Sequence, residues 1–212
     1  MNKIILIPIL IVIIIAISVS LYSFSQTTQP EVQSTSYEID FTFYDVEKIK
    51  STLSLHGIIM SSPTAITDHT IKQYCTFFDD EHIRRTVDYC TTTALVNSDG
   101  NAIGNVNLGG TTDGPTMALA ILDSSPFLNS NENDVKTVFQ TMIETLVCDC
   151  WERQKPGGFE TVTAWIDAAQ EKYVESSKTT LKSEISGLDN KKLILEITST
   201  SESYLWTLII LK

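Results

Sequence analysis

The period of apolar and polar positions changes several times along this chain, and each change predicts an element. From Ile4 to Tyr22 the apolar run IILIPILIVIIIAISVSLY is continuous, and no charge lies between Lys3 and Glu31. Nineteen residues at a helical rise of about 1.5 Å span roughly 28 Å, which matches the ~30 Å hydrocarbon core of a bilayer. Pro8 falls in the first turns, where a missing amide hydrogen is best tolerated. The run is therefore expected to cross a membrane. Lys3 precedes it and Glu31, Glu38 and Asp40 come after it, which places the N-terminus inside and the bulk of the chain outside. The rival expectation is a cleaved secretory signal, with small residues at Ser23 and Ser25 before Gln26. Both readings export the rest of the chain.

Residues 23–40 are rich in Ser, Thr and Gln and read as a polar tether. Val46, Ile49, Leu53, Ile58 and Met60 then approximate helical spacing. They predict a helix near 44–59, ended by Ser61-Ser62-Pro63. Ile71–Phe78 and Thr86–Asn97 are dense in Thr, Tyr, Phe, Val and Cys and flank the polar DDEH at Asp79–His82, as a hairpin would. Asn97-Ser98-Asp99-Gly100-Asn101 predicts the turn of a second hairpin. Gly109–Pro115 reads as a looser loop, and Met117–Leu122 as a buried strand. Val135, Val138, Phe139, Met142, Ile143, Leu146 and Cys150 keep the helical period closely, with Asn133 or Asp134 as cap. After Pro156-Gly157-Gly158 a further helical stripe starts at Phe159, and its spacing extends through Leu181 and Ile185 to Gly187. LILEI and YLWTLIIL close the chain as a hairpin. The second of these is apolar almost throughout, which predicts a central strand covered on both faces.

The order is helix, four strands, two helices, two strands. The fold class is α+β: one antiparallel sheet, made of a four-strand meander and a C-terminal hairpin, packed against about three helices behind an N-terminal transmembrane helix. The domains are 1–22, the anchor or signal; 23–40, the tether; and 41–212, the extracytoplasmic domain. The SDGNAIG hairpin following a strand resembles extracytoplasmic sensory domains of the PAS-like kind. That likeness rests on one turn and a class of topology, and assigns no family.

Composition narrows the function. Charged residues are 19% and hydrophobic ones 42%, which is a folding composition. The net charge of −11 repels phosphate backbones, so nucleic acid is not an expected partner. The expected partners are the membrane, through residues 4–22, and a protein or small-molecule ligand.

Four cysteines, Cys75, Cys90, Cys148 and Cys150, sit on an exported domain, so disulfides are expected. Cys75 and Cys90 flank the DDEH turn, and a bridge there would contribute roughly 3 kcal/mol. Cys148 and Cys150 lie about 200° apart on a helix, so a bond between them requires the helix to end first. The alternative is two long-range bridges. C-x-C spacing also admits a soft metal ion or thiol redox chemistry, although structural zinc sites favour C-x₂₋₄-C and redox sites C-x-x-C. Asp79, Asp80 and His82 are the other weak metal candidates, as carboxylates and imidazole on one turn. His56, His69 and His82 form no HExxH arrangement, no serine sits in G-x-S-x-G, and Asn107–Gly114 lacks a Walker lysine. No catalytic residue and no cofactor is assigned. The leading expectation is a membrane-anchored, non-enzymatic binding domain with structural disulfides. The alternatives are a metal or thiol-redox protein using Cys148 and Cys150, and a hydrolase whose site assembles from distant residues.

Overall fold

In the computed structural model, which describes residues 40–67, 87–124, 132–176, 179–199 and 203–212, the stripe beginning at Val46 forms α1, Asp45–Leu55. Val46, Ile49 and Leu53 are its buried face. The helix is shorter than its apolar spacing predicts, because Gly57 stops it. Gly57 has φ +77° and donates to the Ser54 carbonyl at 3.2 Å, while Ile58 donates to Leu53 at 3.1 Å. This is a Schellman ending, and Ile58 packs into the same core as Leu53. Ile58 and Met60 thus lie beyond the helix, where β1 (Ile59–Met60) and β2 (Thr64–Thr67) begin the sheet.

Strand β3, Tyr89–Val96, pairs antiparallel with both of these short strands and with β4, Ala102–Thr111. Strand β5, Gly114–Ser124, completes the meander. The expected loop at 109–115 is a tight turn instead. Gly110 allows it, because a side chain there would overlap the backbone of Gly114 and Pro115. Helices α2 (Glu132–Leu146), α3 (Trp151–Gln154) and α4 (Val162–Ser176) come next. Strands β6 (Thr180–Leu188), β7 (Lys191–Ser199) and β8 (Tyr204–Leu211) end the chain. Among the described residues the sheet has eight strands in the order β1-β3-β4-β5-β8-β7-β6, with β2 also on β3, and every pairing is antiparallel.

Strand β6 corrects the expected continuation of the helix through Leu181 and Ile185. Four-residue spacing satisfies a strand as well as a helix, since period two also returns to one face. The residue between them on that face is polar Ser183, which hides the alternation. Ser183 is tolerated because its hydroxyl accepts the Trp165 indole N–H at 2.8 Å.

One sheet face and helices α1, α2 and α4 enclose the main core, which includes Phe139, Met142, Trp165, Leu195, Trp206 and Leu208. The opposite face is divided. Near β3 to β5 it carries a smaller cluster of Ile66, Val87, Cys90, Met117 and Leu119. Near β6 and β7 it carries ion pairs, with Lys182 and Lys192 each about Glu184 at 3.0 and 2.9 Å. Strand β8 is central, as its composition predicts. Only one of its faces is fully buried, however, and Ile209 and Leu211 on the other are half-covered by the smaller cluster.

Ion pairs also tie chain segments together. Lys136 on α2 bridges Glu132 at 2.7 Å and Asp167 of α4 at 2.6 Å. Lys191, whose side chain is 7% exposed, meets Asp40 at 3.1 Å and Asp189 at 3.6 Å through its ammonium, and Lys212 meets Asp40 at 3.4 Å. Partial burial pushes the Asp40 carboxyl up, but Lys191, Lys212 and the Phe41 N–H together hold it below its usual value. A depressed carboxyl contributes stability at pH values above its unfolded pKa, and loses it as pH falls through the folded value. Asp40→Asn is therefore expected to lower the melting temperature at pH 7 by a degree or two, on the order of an exposed ion pair. Melting curves of the two proteins should converge as the pH is taken below the range in which Asp40 titrates. A deficit that persists at low pH would show that the pairing is not its source.

The described residues fall within one compact unit, Asp40–Lys212. No helix among them is long and apolar enough to cross a membrane. The expected membrane segment 4–22, tether residues 23–39, the expected strand 71–78 and the DDEH turn lie outside the described residues.

Candidate functional site

Two clefts and a disulfide have chemical character. The first cleft forms where the chain enters α1. Asp45 folds back so that its carboxylate accepts from the Thr42 amide at 2.6 Å and the Thr42 hydroxyl at 3.0 Å. This fixes the approach to the helix, and with it Phe43 and Tyr44. Phe43 stands edge-on to Tyr89 at the start of β3, with ring centroids 4.7 Å apart and planes at 78°. The cleft that both rings line has a volume of about 680 Å³ and is bordered by Val46, Pro63 and Ala65. Thr91 lies in its lining. That residue is 5% exposed, and its hydroxyl has no hydrogen-bond partner among the described residues. Glu47 and Asp113 stand at the rim, and no basic residue lines the cleft among the described residues. The arrangement offers aromatic and aliphatic walls, a buried hydroxyl seeking a partner, and negative charge at the mouth. It suits a neutral or cationic molecule with an apolar body.

Among the described residues two further buried polar groups have no partner: the Thr93 hydroxyl and the Asn107 side-chain amide. Asn107 is fully buried on the sheet face that carries Cys90. An unsatisfied buried amide costs on the order of 1–3 kcal/mol.

The second cleft, about 530 Å³, lies between the end of α2, α3 and the start of α4. Helix α2 ends at Leu146, and the chain then turns, with the Val147 and Cys148 amides both on the Ile143 carbonyl at 2.9 and 3.2 Å. The helix thus ends before the C-x-C segment, which meets the requirement for a direct bond. Cys148 and Cys150 are joined in a disulfide, with Cα atoms 5.1 Å apart. The expected alternative, two long-range bridges, is not what forms here. A bridged pair offers no thiolate to a metal ion. Closing a loop of three residues also does little to the unfolded chain, roughly 1.6 kcal/mol by the chain-entropy relation against roughly 3 for a fifteen-residue loop.

The two sulfurs differ in setting. Cys148 is half-exposed and lines the cleft with Glu144, Asp149, Glu152 and Arg153. Cys150 is 7% exposed and lies behind it, and its sulfur accepts the Gln154 side-chain N–H at 3.2 Å. Trp151 closes the inner side, donating to the Phe159 carbonyl at 3.1 Å and packed against Trp165 at 5.8 Å with the ring planes tilted by 32°.

Of the other expected site residues, Cys90 is fully buried and disulfide-bonded. Cys75, Asp79, Asp80 and His82 lie outside the described residues. No group of three or more His, Cys, Asp or Glu side chains that could hold a metal occurs among the described residues. His56 is exposed at the end of α1, away from either cleft lining. Sequence reasoning misses the first cleft. Its residues come from positions near 43, 64, 90 and 113, and only the T-x-x-D spacing at Thr42–Asp45, whose bonds lie just before α1, marks one wall. Compared with known protein families, curated proteins and solved structures, the chain matches none of them.

Proposed function

We propose that this chain is a membrane-anchored extracytoplasmic domain that binds a small ligand with an apolar body and a neutral or cationic head. In this reading Ile4–Tyr22 is a transmembrane helix and residues 23–39 tether the domain outside the membrane. The observation that carries the binding function is the cleft lined by Phe43 and Tyr89, with the Thr91 hydroxyl, unpartnered among the described residues, in its lining and Glu47 and Asp113 at its mouth. Aromatic walls supply contact area at low entropic cost, and the carboxylates favour a cation at the opening.

The test uses the full chain. It should stay with membranes through alkaline extraction, with its domain open to external protease. In detergent, an arylalkylamine such as phenethylamine should bind saturably, and its uncharged aryl alcohol analogue more weakly. Tyr89→Ala is expected to weaken amine binding at least tenfold, a loss of about 1.4 kcal/mol. Isothermal titration reads both. Binding that survives Tyr89→Ala unchanged, or no saturable binding of either probe, sinks the cleft reading.

A further inference from the structure

We infer that the Cys148–Cys150 bridge is a thiol–disulfide exchange site, which accepts electrons from an external dithiol at Cys148. Three observations point there. The bridge closes only three residues, so it restrains the unfolded chain far less than a long-range staple does. Its two sulfurs are unequal: Cys148 opens on a cleft, and Cys150 lies buried behind it. The buried sulfur already has a donor, the Gln154 amide at 3.2 Å, which stabilises negative charge on it.

The chemistry rests on that asymmetry. A thiolate of the incoming dithiol attacks the Cys148 sulfur, the only one of the pair that lines the cleft. The Cys148–Cys150 bond breaks, and its electron pair leaves on Cys150, where the Gln154 N–H meets it. The second thiolate of the dithiol then attacks the mixed disulfide at its own sulfur, releasing Cys148. The dithiol is oxidised to a disulfide, and Cys148 and Cys150 are reduced to two thiols, taking up the two protons the dithiol gave up. The cleft sets a preference among thiols. Glu144, Asp149 and Glu152 face one Arg153, so a cationic thiol is favoured over an anionic one, and salt weakens the preference.

The experiment exposes the folded full chain in detergent to dithiothreitol and counts alkylated cysteines by mass spectrometry over time. The Cys148–Cys150 bridge should open at least a hundredfold faster than the bond at Cys90, with the circular dichroism spectrum retained. Gln154→Ala should slow that opening several-fold without lowering the melting temperature of the oxidised protein. In Cys150→Ser, cystamine should label Cys148 at least tenfold faster than glutathione disulfide does, and added salt should narrow the gap. In Cys148→Ser, Cys150 should stay unlabelled until denaturant is added. The inference is overturned if the wild-type bridge opens only on unfolding, if its reduction unfolds the domain, or if Cys150 is labelled as readily as Cys148. Ligand binding at the Tyr89 cleft is measured separately, so either result stands without the other.

Discussion

Replacing Trp206 by alanine is expected to lower the melting temperature of the domain by about 10–15 °C. Trp206 is 1% exposed in β8, under the helices, and its cross-strand neighbours are Leu122 and Ile197. Trp→Ala in a packed core costs roughly 3–5 kcal/mol, and a domain of this size loses about 2–4 °C for each. A second penalty adds to the cavity. The indole N–H donates at 2.8 Å to the hydroxyl of Ser124, which is 4% exposed at the end of β5. Removing the indole leaves that hydroxyl buried without its donor. The two costs separate by design. Trp206→Phe keeps most of the apolar volume and loses the hydrogen bond, so it should fall between wild type and Trp206→Ala. Adding Ser124→Ala to Trp206→Phe should recover part of that loss, whereas Ser124→Ala alone should be destabilising. Thermal melts of the four variants, monitored by far-ultraviolet circular dichroism, give the cycle. A Trp206→Ala protein that melts within a few degrees of wild type would mean that this residue does not anchor the core.

Trp206 also shows what the sequence can and cannot disclose. The apolar run around it is legible as a central strand, although one of its two faces is only half-covered. Its partner is not legible: β5 and Ser124 lie 82 residues earlier, with three helices and two strands between. Helix α2 is legible from its buried positions Val135, Val138, Phe139, Met142 and Leu146, which keep the helical period, but its ends are not: Asn133 and Asp134, expected as caps, lie inside it, and it stops at Leu146, short of Cys150. Helix α1 reads too long when apolar spacing is counted past Gly57, whose positive φ ends the helix. Strand β6 reads as helix because Leu181 and Ile185 fit both periods and the decisive Ser183 is a polar residue on a buried face, satisfied by an indole from α4. The candidate sites divide in the same way. The C-x-C bridge depends on where one helix stops, which is local information. The first cleft depends on β3 bringing Tyr89 to Phe43, 46 residues away, and no local pattern marks that.

The second large effect is expected at Gly104, in β4. Two costs coincide there. Its φ is +144°, a backbone conformation that residues with a Cβ rarely adopt, at a cost of about 1–3 kcal/mol. An added Cβ would also drive into the Ile121 carbonyl oxygen and come within 2.9 Å of the Leu122 Cα. Both obstacles belong to the backbone of β5, so no rotamer change relieves them, and relief requires moving one central strand away from another. The pairing explains why glycine stands here. The β3–β4 register shifts beside Leu95, the partner of Gly104, and on its other side Gly104 pairs with Leu122 of β5. Gly104→Ala is therefore expected to leave little folded protein at 37 °C, or to melt at least 10 °C below wild type. Gly114→Ala in β5 is the control, because a Cβ there meets nothing within 4 Å and the backbone is not left-handed. It should melt within about 2 °C of wild type. If the two variants behave alike, the close approach of β4 to β5 is not what limits residue 104. If Gly104→Ala alone fails, the meander is held at a spacing that one methyl group is enough to break.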